Sequence, residues 1–252
     1  FKARKFITGF TGSAGTAVIT LDEAGLWTDG RYFVQAENQL KDSTVTLYRM
    51  GEEGVPTVDE FVKDRLKEGG CLGFDGRVVN GTWGGKLEKI AAEKNVSMHV
   101  TEDLIDLIWE DRPALSKQPL FILEEKYSGK STADKIADLR KAMKENGADV
   151  HILTSLYDIA WLLNIRGNDI DYVPVVLSYL VLNETECIWF LQEEVVDDKI
   201  HAYLEENHIT TKPYDAIYDY VPEIPADAVV LMNRGTVNYR IVNSLDKAIK
   251  VV

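Results

Sequence analysis

The sequence is poor in cysteine and has no long hydrophobic run. Its 252 residues include two cysteines, Cys71 and Cys187, which lie far apart. Two such residues make no disulfide framework and indicate free thiols in a reducing compartment. Apolar stretches such as Val173–Leu182 are far shorter than the roughly 20 residues that a helix needs to cross a bilayer. The sequence therefore predicts a cytoplasmic protein that has no membrane partner.

Positive charge is also scarce. Lysine and arginine number 28 against 41 aspartate and glutamate residues, which gives a formal net charge of −13 and a pI near 4.8. Nucleic acids and anionic membranes repel such an acidic surface, so neither is an expected partner. An acidic surface is typical of soluble cytosolic proteins.

Residues that hold metals or attack substrates are few or unsuitably spaced. No two histidines have the His-x-x-x-His spacing that places two metal ligands on one helix face; the four are His99, His151, His201 and His208. The acidic pairs Glu193-Glu194 and Asp197-Asp198 are typical of a solvated helix surface. No Gly-x-Ser-x-Gly motif occurs, and neither cysteine has the context of an activated nucleophile. The sequence predicts no catalytic residue and no metal site in this chain.

Hydrophobic residues make up 45% of the chain, which is enough for buried cores. The first half alternates strand and helix patterns. Asp29 suits the N-cap of a helix, because its carboxylate can accept a free backbone N–H of the first turn. The predicted strands are Ala17–Thr20, Gly25–Thr28, Val45–Tyr48 and Cys71–Phe74; the predicted helices run from Asp29 through Leu40, from Val58 to Gly69-Gly70, and over Trp83–Lys94.

Residues 111–119 are the best linker candidate, because two prolines there bias their predecessors away from helix. They separate a first domain, residues 1–115, from a second, residues 120–252. The second domain is predicted to begin with a helix capped by Ser131 and ended at Gly147. Its further predicted elements are strand Val150–Thr154, helix Tyr157–Leu163, strands Val175–Leu182 and Cys187–Leu191, helix Val195–Glu206, strand Val229–Met232 and a helix near Tyr239–Ala248.

The two halves look like repeats of one another. Phe6–Ser13 lines up with Trp161–Asn168, and each is followed by a hairpin, a helix, a strand and a further helix. On this alignment the first half lacks the opening helix–strand–helix, about forty residues, that Leu120–Ala160 supplies to the second. A sheet without its opening strand leaves backbone donors unpaired, so we expect a chain trimmed at its N-terminus. The predicted fold class is α/β: two tandem related domains, each a mixed β-sheet flanked by helices.

The glycines of Gly9-x-x-Gly12-x-x-Gly15-Thr16 allow two interpretations. Glycines let backbone N–H groups approach an anion, which would make the chain a stand-alone α/β module that binds a small molecule or anion. The spacing is not that of a phosphate-binding loop, no lysine follows, and a strand comes next. The structural interpretation is a tight bend that enters the strand Ala17–Thr20.

The segment Trp27-Thr28-Asp29-Gly30-Arg31-Tyr32 is the first candidate site. It is either a capped helix start, with Trp27 in the core and Arg31 paired with an acidic neighbour, or a surface where Trp27, Arg31 and Tyr32 face a substrate channel. Arginine suits the second role, because its planar guanidinium binds a peptide carboxylate or carbonyl.

The segment Asn164–Tyr172 is the second candidate site, since it is polar and follows a predicted helix. It is either a structured connector in which Gly167 supplies the turn, or a contact surface for another domain. The contact residues would be Arg166, Asp169 and Tyr172.

Several motifs, in this order, resemble the Xaa-Pro aminopeptidase family, particularly its three-domain cytosolic type. They are Phe6-Ile7-Thr8-Gly9-Phe10-Thr11-Gly12-Ser13-Ala14-Gly15-Thr16, Leu26-Trp27-Thr28-Asp29-Gly30-Arg31-Tyr32, Tyr157-Asp158-Ile159-Ala160-Trp161-Leu162-Leu163-Asn164-Ile165-Arg166-Gly167 and Lys247-Ala248-Ile249-Lys250. The resemblance covers nearly the whole chain. It implies the first and middle domains of such an enzyme, both of the creatinase N-terminal type, without the catalytic metallopeptidase domain.

The resemblance also implies a function, which belongs to the parent enzyme. That enzyme removes an N-terminal residue when proline is second, using two divalent ions, manganese in our expectation, to activate a bridging water. The expected partners are the missing catalytic domain, a second subunit in a homodimer and a peptide with proline second. In this interpretation the two domains gate substrate access and support assembly. The alternatives are the stand-alone module and a prolidase or creatinase type of relative, which usually carries one such domain rather than two.

Overall fold

The computed structural model describes residues 2–252, which form two compact units. The first unit runs to Asp75 and resumes over Gly85–Pro113, and the second consists of Gly76–Gly84 and Ala114–Val252. Each unit combines helices with β-sheet, in agreement with the α/β prediction. No helix formed by residues 2–252 is both long enough and apolar enough to cross a bilayer.

Residues 2–113, the described part of the first half, contain four helices and five strands. The helices are α1 (Ala3–Thr8), α2 (Phe33–Leu40), α3 (Val58–Arg65) and α4 (Gly81–Glu93), and the strands are β1 (Thr16–Ile19), β2 (Ala24–Thr28), β3 (Val45–Arg49), β4 (Cys71–Gly73) and β5 (Ser97–His99). Every predicted element of this half is present within a few residues. The helix predicted from Asp29 opens with a single 3-10 turn, Gly30–Tyr32, before α2 begins.

The strands of the first unit form two separate sheets. A three-stranded sheet has the order β1-β2-β3; β1 and β2 are antiparallel with Thr16 opposite Trp27, and β2 and β3 are parallel. A two-stranded parallel sheet contains β4 and β5. The predicted hairpin is confirmed. One hydrophobic cluster of this unit is small and is formed by Phe10, Leu26, Ala36 and Leu40.

The remaining elements lie in the second unit. The helices are α5 (Glu125–Ser128), α6 (Thr132–Glu145), α7 (Leu156–Leu163), α8 (Asp198–Glu206), α9 (Ile217–Tyr220) and α10 (Tyr239–Ser244). The strands are β6 (Phe121–Ile122), β7 (Val150–Leu153), β8 (Ile165–Arg166), β9 (Tyr179–Asn183), β10 (Cys187–Leu191), β11 (Thr210–Pro213), β12 (Val229–Leu231) and β13 (Lys250–Val251).

The second unit is built on one mixed sheet of six strands in the order β11-β10-β9-β7-β12-β13. Strand β9 is antiparallel to both neighbours, and the other pairings are parallel. Successive side chains of a strand point to opposite faces. In β9, Leu180 and Leu182 join one hydrophobic cluster while Tyr179 and Val181 join another, so the sheet is buried on both faces.

Two predicted elements of the second unit begin later than expected. The strand predicted from Val175 starts at Tyr179, because the Leu177 N–H is bound by the Asp169 carboxylate at 2.8 Å instead of by a neighbouring strand. The helix predicted from Val195 starts at Asp198, because Asp197 caps it with a carboxylate that accepts from the Ile200 N–H at 2.8 Å.

The segment Gly76–Gly84 belongs to the second unit, although it lies inside the predicted first domain. It runs alongside residues 233–241, with Asn80 opposite Asn238 in an antiparallel bridge. Gly81 N–H donates to Val237 O at 2.8 Å, and Tyr239 N–H donates to Val79 O at 2.7 Å. The predicted boundaries 1–115 and 120–252 do not account for this segment, because it lies early in the sequence and belongs to the second unit.

The two paired segments mirror each other in their helix caps. Asn80 Oδ1 accepts from the Trp83 N–H at 2.8 Å at the start of α4, and Asn238 Oδ1 accepts from the Ile241 N–H at 3.0 Å at the start of α10. Each asparagine satisfies an N–H group that the first turn of a helix leaves free. Asn80 and Asn238 each lie nine residues after the first residue of a strand, β4 or β12, as expected for repeats.

Candidate functional site

The Arg31 side chain lies at the surface and is bound by a residue of its own turn. Asp29 accepts from Arg31 Nε and from Arg31 Nη2, both at 2.8 Å, and also from the Arg31 backbone N–H at 3.1 Å. These hydrogen bonds raise the pKa of Arg31 and lower that of Asp29, so the pair stays ionised. Arg31 is therefore a fixed, solvent-facing cation whose guanidinium is oriented by the helix cap.

The Tyr32 hydroxyl is held beside this cation. It lies 2.6 Å from Ser13 Oγ, and this hydrogen bond lowers the pKa of Tyr32. Its ring meets Phe10 edge-on at 5.9 Å, and the Arg31 guanidinium lies 5.3 Å from the ring centre. The glycine-rich segment and the start of α2 therefore form one surface.

A group of amides on the same loop and helix was not predicted from the sequence. Thr11 Oγ1 accepts from Gln35 Nε2 at 2.9 Å and from Gln39 Nε2 at 2.8 Å, and Thr11 N–H donates to Gln39 Oε1 at 2.9 Å. The i, i+4 spacing of the glutamines on one helix face was the available signal. Together with Arg31 and Tyr32 they give α2 an exposed polar edge rich in hydrogen-bonding groups.

Trp27 lies in the core of the first unit. Its side chain is buried, its ring stacks on Tyr48 at 4.1 Å, and it meets Phe61 at 4.8 Å. Its Nε1–H donates to Pro56 O at 2.8 Å, so the polar atom of the buried ring is satisfied. A side chain without exposed surface cannot line a passage, which corrects the expectation that Trp27 faces substrate.

The glycine loop is organised around an arginine of this chain. Arg4 Nη1 donates to Gly15 O at 2.6 Å, and Arg4 Nη2 donates to Gly12 O. The loop therefore turns these carbonyl oxygens toward a cation. Two of its N–H groups are also bound, Phe10 N–H by Thr8 Oγ1 at 3.1 Å and Thr11 N–H by Gln39. This geometry supports the structural bend and not the anion-binding interpretation.

In the second candidate site, Arg166 and Asp169 make contacts within their own unit. Arg166 Nη1 donates to Ala160 O, at the end of α7, and to Ile165 O at 3.1 Å. Asp169 Oδ2 accepts from Leu177 N–H, whereas its Oδ1 atom is buried and has no hydrogen-bond partner among residues 2–252. Arg166 thus stabilises a helix end, where a cation is favourable.

Tyr172 differs from both, since its side chain is fully exposed. Its φ angle is 66°, a left-handed conformation that is uncommon for a bulky residue. It lies in the turn closed by the bridge between Ile170 and Val173. A strained backbone together with a fully exposed aromatic ring is typical of a contact site.

Lys135, a buried cation, is a residue that the sequence did not single out. Its Nζ donates to Trp161 O at 2.8 Å and to Asn164 Oδ1 at 2.7 Å. Burial lowers its pKa. It joins α6 to the end of α7. Its position four residues before Leu139, which packs against the core, was the available signal.

The part of the chain that the structure describes has no metal centre. Among residues 2–252 no three His, Cys, Asp or Glu side chains are grouped so as to hold an ion. His151 Nδ1 lies 2.9 Å from Leu231 O, and burial lowers the pKa of this histidine. His99 lies 2.9 Å from Glu102 on an exposed surface. The described residues therefore do not fit the two ions that the resemblance implies.

Comparison with known proteins assigns both halves to one domain type. Two family models, each described as the creatinase/prolidase N-terminal domain, match residues 2–108 and residues 111–252. A probable Xaa-Pro aminopeptidase P of Coprinopsis cinerea is 41% identical over 224 residues, which is 88% of this chain and 36% of that protein. Aminopeptidase P2 of Arabidopsis thaliana is 36% identical over 252 residues, covering 98% of this chain and 35% of that protein.

A solved structure extends the match to three dimensions. The X-prolyl aminopeptidase of Caenorhabditis elegans, described as a cytosolic enzyme with a di-nuclear active site, superposes with a TM-score of 0.92 at 32% identity. The match covers 99% of this chain and 42% of that one. This chain thus spans between a third and about two fifths of these relatives' length. With two matching domains that cover nearly all of its residues, the chain belongs to the creatinase/prolidase N-terminal domain family.

Proposed function

We propose that this chain is the non-catalytic N-terminal portion of an Xaa-Pro aminopeptidase. The observation that carries the proposal is the TM-score of 0.92 over 99% of the chain against an enzyme of that type, of which the chain covers 42%. The tandem pair of domains supports an aminopeptidase over a prolidase or creatinase relative. In our proposal the parent protein is cytoplasmic and forms a homodimer.

The reaction, in this proposal, takes place in the rest of the longer protein. The bond before proline is a tertiary amide without an N–H group and with a reduced trans preference, so it needs a dedicated site. Two divalent ions, manganese in our proposal, supply Lewis acidity and an activated water there. The residues of this chain contribute walls that admit the free end of a peptide and exclude folded proteins.

Arg31 and Tyr32 are our proposed access residues. Their support is geometric: an exposed guanidinium fixed by Asp29 and a hydroxyl fixed by Ser13 lie on one face with donors to spare. Arginine has five N–H donors, and the two bonds to Asp29 leave three for a peptide carbonyl or carboxylate. Asp169 and Tyr172 are proposed contacts to the catalytic part, whereas the Arg166 donor atom is occupied by the end of α7.

The assay of this proposal compares the 252-residue chain with the longer protein. Both are incubated with Mn²⁺ and a dipeptide that has proline second. We expect turnover by the longer protein, lost on addition of a chelator, and none by the 252-residue chain above a metal-only blank. Chelator-sensitive turnover that copurifies with the 252-residue chain would contradict the assignment of chemistry to the remainder.

The role of Arg31 is tested in the longer protein with a matched control. Arg31→Ala should lower kcat/KM about tenfold, mostly through KM, if the contact is equal in ground and transition states. Arg49→Ala is the control, because Arg49 is also paired with a carboxylate, Glu37, at 3.1 Å in the same unit. A lowered melting temperature with unchanged kcat and KM in both variants would show that Arg31 serves only the helix cap.

A further inference from the structure

The outer face of α7 carries two exposed aromatic side chains. Tyr157 is 67% exposed and Trp161 is 53% exposed. Residues four apart on a helix lie on the same face, so the two rings form one apolar patch. Large exposed aromatic surfaces on a folded unit mark interaction sites.

The first half of the chain shows what covers the corresponding face. Its helix α1 aligns with α7, and the alignment has a structural marker: Gly9 and Asn164, the C-caps, are both left-handed, with φ of 73° and 51°. In this register Phe6 corresponds to Trp161. The Phe6 ring stacks on Trp109, with ring centres 4.4 Å apart and planes 10° apart.

Trp109 comes from the segment that follows the last strand of the first repeat. It lies ten residues after His99, the end of β5. Arg112 lies 5.5 Å from the Trp109 ring and pairs with Asp103 and Asp106, which closes the segment on itself. The chain therefore returns from β5 to cover the first helix of its own repeat.

In the second repeat, β13 takes the place of β5. Strand β5 pairs in parallel with β4, and β13 pairs in parallel with β12. We propose that Trp161 is the docking site for a planar side chain of the segment that follows β13, about ten residues beyond Val252 in the longer protein. This inference rests on the proposed function, in which the chain is part of a longer enzyme.

The Trp161 side chain is held in position by contacts within its own unit. Lys135 Nζ lies 4.5 Å from the centre of the Trp161 ring and binds the Trp161 carbonyl, so the residue is fixed at both its ring and its backbone. Aromatic pairs prefer an offset stack of the kind that Phe6 and Trp109 form. A fixed indole loses little conformational freedom when a second ring stacks on it.

Hydroxyl-radical footprinting of the 252-residue chain and of the longer protein tests the inference. We expect Trp161 to be modified readily in the short chain and to lose most of this modification in the longer protein. Tyr127 is the internal control, because it is 69% exposed in α5 and should react alike in both. Equal modification of Trp161 in both proteins would overturn the proposal, as would protection that disappears on dilution, which would indicate a second copy as the occupant.

Variants of Trp161 provide the second measurement. Trp161→Ala should lower the melting temperature of the longer protein more than that of the 252-residue chain, and Trp161→Phe should restore most of the difference. Equal losses in both proteins would contradict docking. Hydrolysis of a proline-second peptide is assayed separately. Trp161 protection without hydrolysis overturns only the proposed function, and hydrolysis without protection overturns only this inference.

Discussion

From α1 and from α7 onward the two repeats have the same order of helices and main-sheet strands, yet their sheets differ. In the second unit β7 lies between β9 and β12, and a single six-stranded sheet results. In the first unit β1 and β4 hold the equivalent positions, and residues 2–252 place no strand between them, so β1-β2-β3 and β4-β5 stay separate. One central strand therefore decides whether the five equivalent strands of a repeat join in one sheet or form two.

The central strand also decides how well the neighbouring strands are buried. Every side chain of β10 is buried, and alternate residues of β9 and β10 enter the hydrophobic clusters on opposite faces of the sheet. Strand β1 pairs on one side only and none of its residues is fully buried. Strand β4, the other separated edge, is largely exposed. In this protein β9 and β10, which pair on both sides, are buried on both faces, whereas β1 and β4, which each pair on one side, are not.

The reactivity of the two cysteines reports this difference in burial between the units, and it is the largest expected effect. Cys71 is exposed in β4, whereas Cys187 is buried in β10, where burial raises its pKa to about 12. Because the thiolate is the reactive form and Cys187 is only 2% exposed, Cys187 should react with a disulfide reagent at pH 8 at least about a hundredfold more slowly than Cys71.

The thiol experiment has two controls. Cys71→Ser should remove the fast phase, and urea should make the two thiols react at similar rates. A fast reaction of both thiols in the native chain would show that Cys187, in the six-stranded sheet, is as accessible as Cys71, in the β4-β5 sheet. The contrast between the units would then be wrong.

The variant Gly84→Ala tests the packing of the segment Gly76–Gly84, which belongs to the second unit. An added Cβ at Gly84 would lie 2.1 Å from Tyr239 Cδ2, too close to any atom of a buried ring. Overpacking of this kind costs up to about 3 kcal/mol, so we expect a loss of that order in the free energy of unfolding measured in urea.

Gly85→Ala is the matched control for Gly84→Ala. It lies in the same helix, and no atom lies within 4 Å of its added Cβ. Alanine is the better helix former by about 1 kcal/mol, so this variant should be more stable than the parent chain. Similar stabilities for the two variants would contradict the packing of Gly76–Gly84 against α10.

The C-caps Gly9 and Asn164 occupy the same aligned position in the two repeats, but their contacts differ. Asn164 accepts from Lys135 Nζ at 2.7 Å and donates to Lys130 O at 2.9 Å, whereas Gly9 supplies only a left-handed backbone. Asn164→Ala removes hydrogen bonds of a buried cation and should cost about 2 kcal/mol. Gly9→Ala introduces only backbone strain and should cost about 1 kcal/mol. Equal losses in urea denaturation would show that the Lys135 contacts contribute nothing.

Local chemistry explains what the sequence could predict. The hairpin, the caps at Asp29 and Ser131 and the repeat register each depend on residues close together in the chain, and the structure contains them. The left-handed caps Gly9 and Asn164 show that the aligned positions share a backbone conformation.

Long-range pairing explains what the sequence could not predict. The hydrogen bonds of Gly76–Gly84 with residues 234–240 join residues more than 150 positions apart, and no local pattern specifies them. The same holds for Trp27: its strand pattern allowed a surface or a core, and contacts with Tyr48 and Pro56 decided for the core. Of the candidate access residues, Arg31 and Tyr32 stay proposals.

The smallest expected effect concerns one residue in each unit with a left-handed backbone. Tyr172 has φ of 66° and Asp42 has φ of 63°, and both are exposed. Aspartate tolerates this conformation better than a bulky aromatic residue does, so Tyr172→Gly should stabilise the 252-residue chain by about 0.5 kcal/mol while Asp42→Gly should be neutral or slightly destabilising. If Tyr172 contacts the catalytic part, as proposed, its gain in melting temperature should turn into a loss in the longer protein. A gain of the same size in both proteins would show that the strained tyrosine has no contact there.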